Sequence, residues 1–73
     1  MLTSFNILIC GSSNITYDHI EAIKRIKELK IGAIYSGNKE KVQKISQKYN
    51  IKIINDLKKE NLSTFDIALI TSS

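Results

Sequence analysis

One stretch of the 73-residue sequence has the residue types and spacing to hold an anion. It is Gly11-Ser12-Ser13-Asn14-Ile15, set between an apolar run over residues 5–10 and a segment of helical period. A turn of small residues leading from a strand into a helix presents free backbone N–H groups and the positive end of a helix dipole, the layout of a phosphate cradle. The plainer alternative is that Gly11 only lets the chain turn, but the placement after a strand and before a helix favours a ligand. Two shorter segments, Ser36-Gly37-Asn38 and Thr71-Ser72, follow later apolar runs and reach the same edge if those runs are parallel strands. Ligands bind at that edge, outside the carboxyl ends of the strands. The candidate binding set is therefore Gly11, Ser12, Ser13, Asn14, Ile15, Ser36, Gly37, Asn38, Thr71 and Ser72, with no catalytic and no metal-ligating residue.

The remaining reactive side chains offer less. Cys10 is the one cysteine and His19 the one histidine, so the chain has neither an internal disulfide nor the Cys/His spacing of a zinc site. A lone histidine on an apolar helix face reads as a packed, hydrogen-bonded residue, and a lone cysteine ending a strand as a small buried one.

Positioning the loop requires alternating elements. Residues 5–10 form an apolar run without alternation, as in a strand covered on both faces. Residues 16–30 show helical periodicity, with Ile15, His19, Ala22, Ile26 and Leu29 in one sector, Ile23 beside it, and Asn14 or Thr16 as cap. Residues 30–36 read as a second strand. Asn38 caps a second helix over residues 39–49, supported by Val42, Ile45 and Tyr49 at helical spacing and by a Glu40–Lys44 pair. Asn50 suits its left-handed end. Residues 51–54 read as a third strand, residues 55–62 as a short helix of about two turns, and residues 65–71 as a fourth strand. The expectation is an α/β fold, a three-layer Rossmann-like parallel sheet of four strands in order 3-2-1-4. It forms one module over residues 1–73.

Composition narrows the partners. Eleven lysines and arginines against seven acids give a net charge of +4, but the basic residues are interleaved with acids, a poor footprint for nucleic acid. The N-terminal stretch carries no positive charge before Lys24 and its apolar run is short. The expectation is therefore a cytoplasmic protein with neither membrane span nor nucleic-acid partner. A domain this short buries only roughly 60% of its unfolded surface, so a partner that completes it is expected, either as a homo-oligomer or as a further C-terminal domain.

The order Gly11-Ser12-Ser13-Asn14-Ile15-Thr16-Tyr17-Asp18-His19, then Ser36-Gly37-Asn38-Lys39-Glu40-Lys41, Lys48-Tyr49-Asn50-Ile51 and Phe65-Asp66-Ile67-Ala68-Leu69-Ile70-Thr71, resembles the start of a Gfo/Idh/MocA-type oxidoreductase over nearly the whole chain. The resemblance implies a dinucleotide partner, NAD or NADP, and a sugar, inositol or related alcohol as substrate. It also implies that the module corresponds to part of a larger domain and that the catalytic lysine and histidine lie beyond this segment. The pyrophosphate would lie on the amides of residues 12–15, the ribose near residues 36–38, and the path to nicotinamide along residues 71–73. Two departures stand out: Ser13 and Thr16 replace the second and third fingerprint glycines, and neither an acid nor an arginine follows the second strand.

Two other readings compete. Cys10 followed by a glycine-serine loop resembles the phosphocysteine loop of sugar phosphotransferase IIB domains, which requires a thiol of lowered pKa. A tyrosine-phosphatase-like loop is excluded because position 16 is threonine rather than arginine. Alternatively, the chain is a degenerate, non-catalytic module that associates through its fourth strand.

Overall fold

The computed structural model describes residues 4–71. Its elements run β1 (Phe5–Cys10), α1 (Asn14–Lys24), β2 (Leu29–Tyr35), α2 (Lys39–Tyr49), a 3-10 turn (Leu62–Thr64) and β3 (Ile67–Ile70). The three strands form one parallel sheet in the order β2-β1-β3, with β1 central. The expected α/β Rossmann-like parallel architecture is present, but with three strands rather than four.

The run over residues 51–54 lies outside β2, where the third of the four strands was expected, yet it makes only an isolated parallel bridge, Ile34 to Ile53. Two backbone bonds tie it to β2, Ile34 N–H to the Lys52 carbonyl and Ile54 N–H to the Ile34 carbonyl, both 2.8 Å. The ladder stops there because the chain turns at once: the Asp56 side chain accepts from Lys58 N–H at 2.9 Å and the Asp56 carbonyl from Lys59 N–H at 3.2 Å. The same turn replaces the short helix expected over residues 55–62. Only the 3-10 turn forms, with Asn61 Oδ1 accepting from Ser63 N–H at 3.1 Å.

The two faces of the sheet are consequently unequal. Ile20 and Ile23 of α1 and Val42 and Ile45 of α2 pack with Ile7, Ile9 and Ile34 in the main core. The opposite face holds a smaller cluster, Leu8, Ala33 and Ile54, covered by Leu57 and Phe65 from the irregular segment. Apart from that segment, the third layer is missing among the described residues.

Helix α1 departs from its sequence pattern in a definable way. It ends at Lys24, where Arg25 and Ile26 donate to carbonyls three residues back, and Leu29 already belongs to β2. At 100° per residue, the apolar sector inferred from Ile15, His19, Ala22, Ile26 and Leu29 lies roughly 100° around the helix from the one that is buried. The buried residues are Thr16, Ile20 and Ile23, while Ile15 and Ile26 are 50% and 47% exposed. Helix α2 follows its pattern: Asn38 Oδ1 accepts from Lys41 N–H at 3.1 Å, and Asn50 closes the helix at φ 56°, ψ 52°.

The bulge between β1 and β2 places the start of β3. Ile7 pairs with Ile31 and Leu8 with Ala33, leaving Gly32 as the extra residue. A Cβ at Gly32 would run into the Asn6 side chain. Asn6 fastens the approach to β3: its Nδ2 donates to the Thr64 carbonyl at 2.9 Å, its N–H to Asp66 Oδ2 at 2.7 Å, and its carbonyl accepts from Asp66 N–H at 2.8 Å.

The two helices meet on the solvent side through Tyr49, whose hydroxyl donates to Glu21 Oε2 at 2.7 Å. That bond is the main cause pushing the Tyr49 phenol up from 10.0 to about 12, and it also holds the Glu21 carboxyl below its ordinary value. Both groups are in their bonded forms at neutral pH. The contribution of Tyr49 is complete below pH 10.0 and is lost as pH rises toward about 12, while that of Glu21 is lost as pH falls through its lowered pKa. A spectrophotometric titration is expected to show one phenol ionising near pH 12, and Glu21→Gln to bring it back toward 10.0. An unchanged titration in the variant would show that the bond does not form.

Candidate functional site

The carboxyl ends of β1, β2 and β3 bring together every described residue of the predicted set. Gly11 has φ 136°, in the region that disfavours a Cβ, and its N–H donates to the Tyr35 carbonyl at 2.8 Å, so the turn leaves the sheet directly from the β1–β2 ladder. Ser13 is the extended residue before α1 (φ −84°, ψ 178°), and its side chain makes no capping bond. Its carbonyl accepts from Thr16 N–H at 3.0 Å. Among the described residues, none accepts a hydrogen bond from the N–H groups of residues 12–15. Four amides at the start of an 11-residue helix are therefore open to an anion, with the helix dipole behind them.

The two later segments are bonded to this loop. Ser12 Oγ and Ser36 Oγ share a hydrogen bond at 2.7 Å, and Ser36 Oγ also accepts from Asn38 N–H at 3.1 Å. From the other side, Ser13 Oγ donates to the Thr71 carbonyl at 3.0 Å, and Thr16 Oγ1 shares a bond with Thr71 Oγ1 at 2.7 Å. Ser72, the last predicted site residue, lies outside the described residues.

Beside the loop, on the face away from α1, a cleft of about 360 Å³ is lined by Cys10, Gly11, Tyr35, Ser36, Gly37, Leu57 and Ile70. The sequence reading did not place Tyr35, Leu57 or Ile70 in a site. They are ordinary apolar positions of a strand or loop, and only the crevice between diverging connections gives them a ligand-facing role.

Cys10 lies in the wall of this cleft, and burial pushes its thiol up from 9.0. A phosphocysteine loop needs the opposite shift, so the Cys10 environment does not favour the phosphotransferase reading. His19 is half-buried on α1 and takes no part in the cluster. No group of three or more metal-ligating side chains occurs among the described residues, and none of their helices is long and apolar enough to cross a membrane.

A parallel sheet, a glycine turn and an amide-rich helix start occur in many nucleotide-binding folds, so the comparison with known families decides among them. A family model described as an oxidoreductase family with an NAD-binding Rossmann fold matches residues 5–73. The chain belongs to the Gfo/Idh/MocA oxidoreductase family. Curated proteins and solved structures give no match.

For a Gfo/Idh/MocA domain the question is whether a dinucleotide fits a loop with one fingerprint glycine out of three. The one whose backbone requires glycine is present, since Gly11 is the residue of this loop that takes a positive φ. Ser13 adopts an ordinary extended conformation, and Thr16 is fully buried against Thr71. Both added hydroxyls are spent on Thr71, and the amides remain free to bind, so the residues present fit the cofactor. After β2, Ser36 and Asn38 offer hydroxyl and amide groups but no charge; Lys39, one residue later, lines an adjacent cleft of about 230 Å³ with Ser36.

Proposed function

We propose that the chain is the NAD(P)-binding module of a Gfo/Idh/MocA-type oxidoreductase acting on a sugar, an inositol or a related alcohol. The observation that carries this reading is the run of open amides over residues 12–15, at the carboxyl edge of the sheet and inside the family-matched segment. In this reading those amides, with Gly11 setting the turn, hold the pyrophosphate. Ser36, Gly37 and Asn38 face the ribose, and Thr71 and Ser72 lead toward the nicotinamide. Leu57 and Ile70 give the cleft an apolar wall suited to a base. When bound, the dinucleotide accepts or donates the hydride. No residue of the described segment is assigned as acid, base or nucleophile, and the family's catalytic lysine and histidine are assigned to positions beyond it.

The test is a thermal-shift titration with NADH, NADPH and inorganic phosphate at two protein concentrations. A dinucleotide at a hundred times its dissociation constant adds about 2.7 kcal/mol to the native state. The accompanying expectation is that alkylation of Cys10, already slow because its thiol is raised, falls roughly tenfold further with dinucleotide at ten times its dissociation constant. A melting point and an alkylation rate indifferent to both dinucleotides would reject the assignment.

One observation favours association as a second role. The edge strand β3 exposes Ile67 and Ile70, at 42% and 65%. A melting point that climbs with protein concentration, without any response to nucleotide, would leave association as the function.

A further inference from the structure

We infer that Thr71 is a positioning residue for the dinucleotide loop, clasped by the hydroxyls of Ser13 and Thr16, the two residues that replace fingerprint glycines. This rests on the dinucleotide reading above and deepens it. Thr71 is 4% exposed and sits just past β3, and three of its atoms are bonded to the first loop and its approaches. Its N–H donates to the Cys10 carbonyl at 2.9 Å, its carbonyl accepts from Ser13 Oγ at 3.0 Å, and its Oγ1 bonds Thr16 Oγ1 at 2.7 Å.

The hydroxyls of Thr16 and Thr71 share one bond in which either oxygen can be the donor, and Thr71 Oγ1 also lies 3.4 Å from the Cys10 carbonyl. Ser13 and Thr16 are three positions apart at the helix start, a spacing that brings both hydroxyls to one side of the first turn, where they reach the same residue.

A glycine at position 16 would set the distance between helix and strand by having no Cβ. Here a Cβ is present, and a hydrogen-bonded clasp fixes that distance instead. Because the clasp spans the segment whose amides are open, it holds residues 12–15 in place before any anion arrives, and preorganisation of this kind shows as affinity. Thr71 touches no phosphate in this scheme; it acts through the loop.

Affinities for ADP and for adenosine are measured by calorimetry on the full chain and on Thr71→Val, Thr71→Ser and Ser13→Ala. Circular dichroism and melting of each variant are recorded alongside. Thr71→Val keeps the side-chain volume and removes the hydroxyl; Thr71→Ser keeps the hydroxyl. Thr71→Val and Ser13→Ala are each expected to weaken ADP about tenfold, with adenosine unchanged within about twofold and Thr71→Ser close to the parent. General destabilisation would weaken both ligands alike. Parent-like ADP binding by Thr71→Val and Ser13→Ala overturns the clasp while leaving the dinucleotide reading intact. A parent chain that binds neither ADP nor NADH overturns both. If Thr71→Val fails to fold, Ser13→Ala decides, since Ser13 is only partly buried.

Discussion

Ile34→Ala is expected to lower the unfolding free energy by about 2–5 kcal/mol, the cost of deleting most of a fully buried aliphatic side chain. Ile34 is 0% exposed and packs in the main core with Ile9, Ile20 and Ile45. It pairs with Ile9 across the β1–β2 ladder, and its backbone makes the two bonds that tie the run over residues 51–54 to β2. A chain of this length has a total stability of roughly 4–11 kcal/mol, so the variant loses a large part of it. Urea denaturation followed by circular dichroism measures the change. Ile34→Val is the milder companion at about 0.5–1.5 kcal/mol. Ile15→Ala and Ile26→Ala, on the exposed side of the α1 region, should stay within about 0.5 kcal/mol of the parent. A cost at Ile15 equal to that at Ile34 would mean that α1 presents the face suggested by its sequence periodicity and that the packing described above is wrong.

Gly11→Val should abolish nucleotide binding as well as destabilise the chain. The φ of 136° belongs to a region that a β-branched residue scarcely enters, and the strain is worth about 1–3 kcal/mol. The chain has two ways to respond. If it keeps the turn, it carries the strain; if it relaxes, the amides of residues 12–15 swing away from the edge they share with Ser36 and Thr71. Dinucleotide affinity falls in the second case by more than the stability loss accounts for. The contrasting variant is Gly37→Ala: nothing lies within 4 Å of a Cβ there, so that chain should fold like the parent. Undiminished NADH binding by a folded Gly11→Val chain would show that the loop is not the cofactor cradle.

Local chemistry was readable where one residue decides one conformation. Asn38 caps α2 and Asn50 ends it in the left-handed region, as their positions in the sequence indicated. Gly11 between a strand and a helix start marked the turn for the same reason. Periodicity misplaced the end of α1 because nothing within residues 16–30 encodes the stop at Lys24. The stop comes from tight backbone turns after the helix and from β2 beginning at Leu29. The four apolar residues 51–54 have the composition of a strand, but a ladder needs length as well, and the Asp56 turn ends it after one bridge.

The sequence by itself determined the alternation of parallel strands and helices, the glycine turn that leads from β1 into α1, and the family, because each depends on residue type and on spacing within a few positions. Tertiary structure decided which face of α1 is buried, how Gly32 makes room for Asn6, and how Ser12 and Ser36 join two loops. It also decided that the hydroxyls of Ser13 and Thr16 close on Thr71. That bond joins residues 55 positions apart, and no local pattern specifies a contact between groups that only folding brings within 2.7 Å.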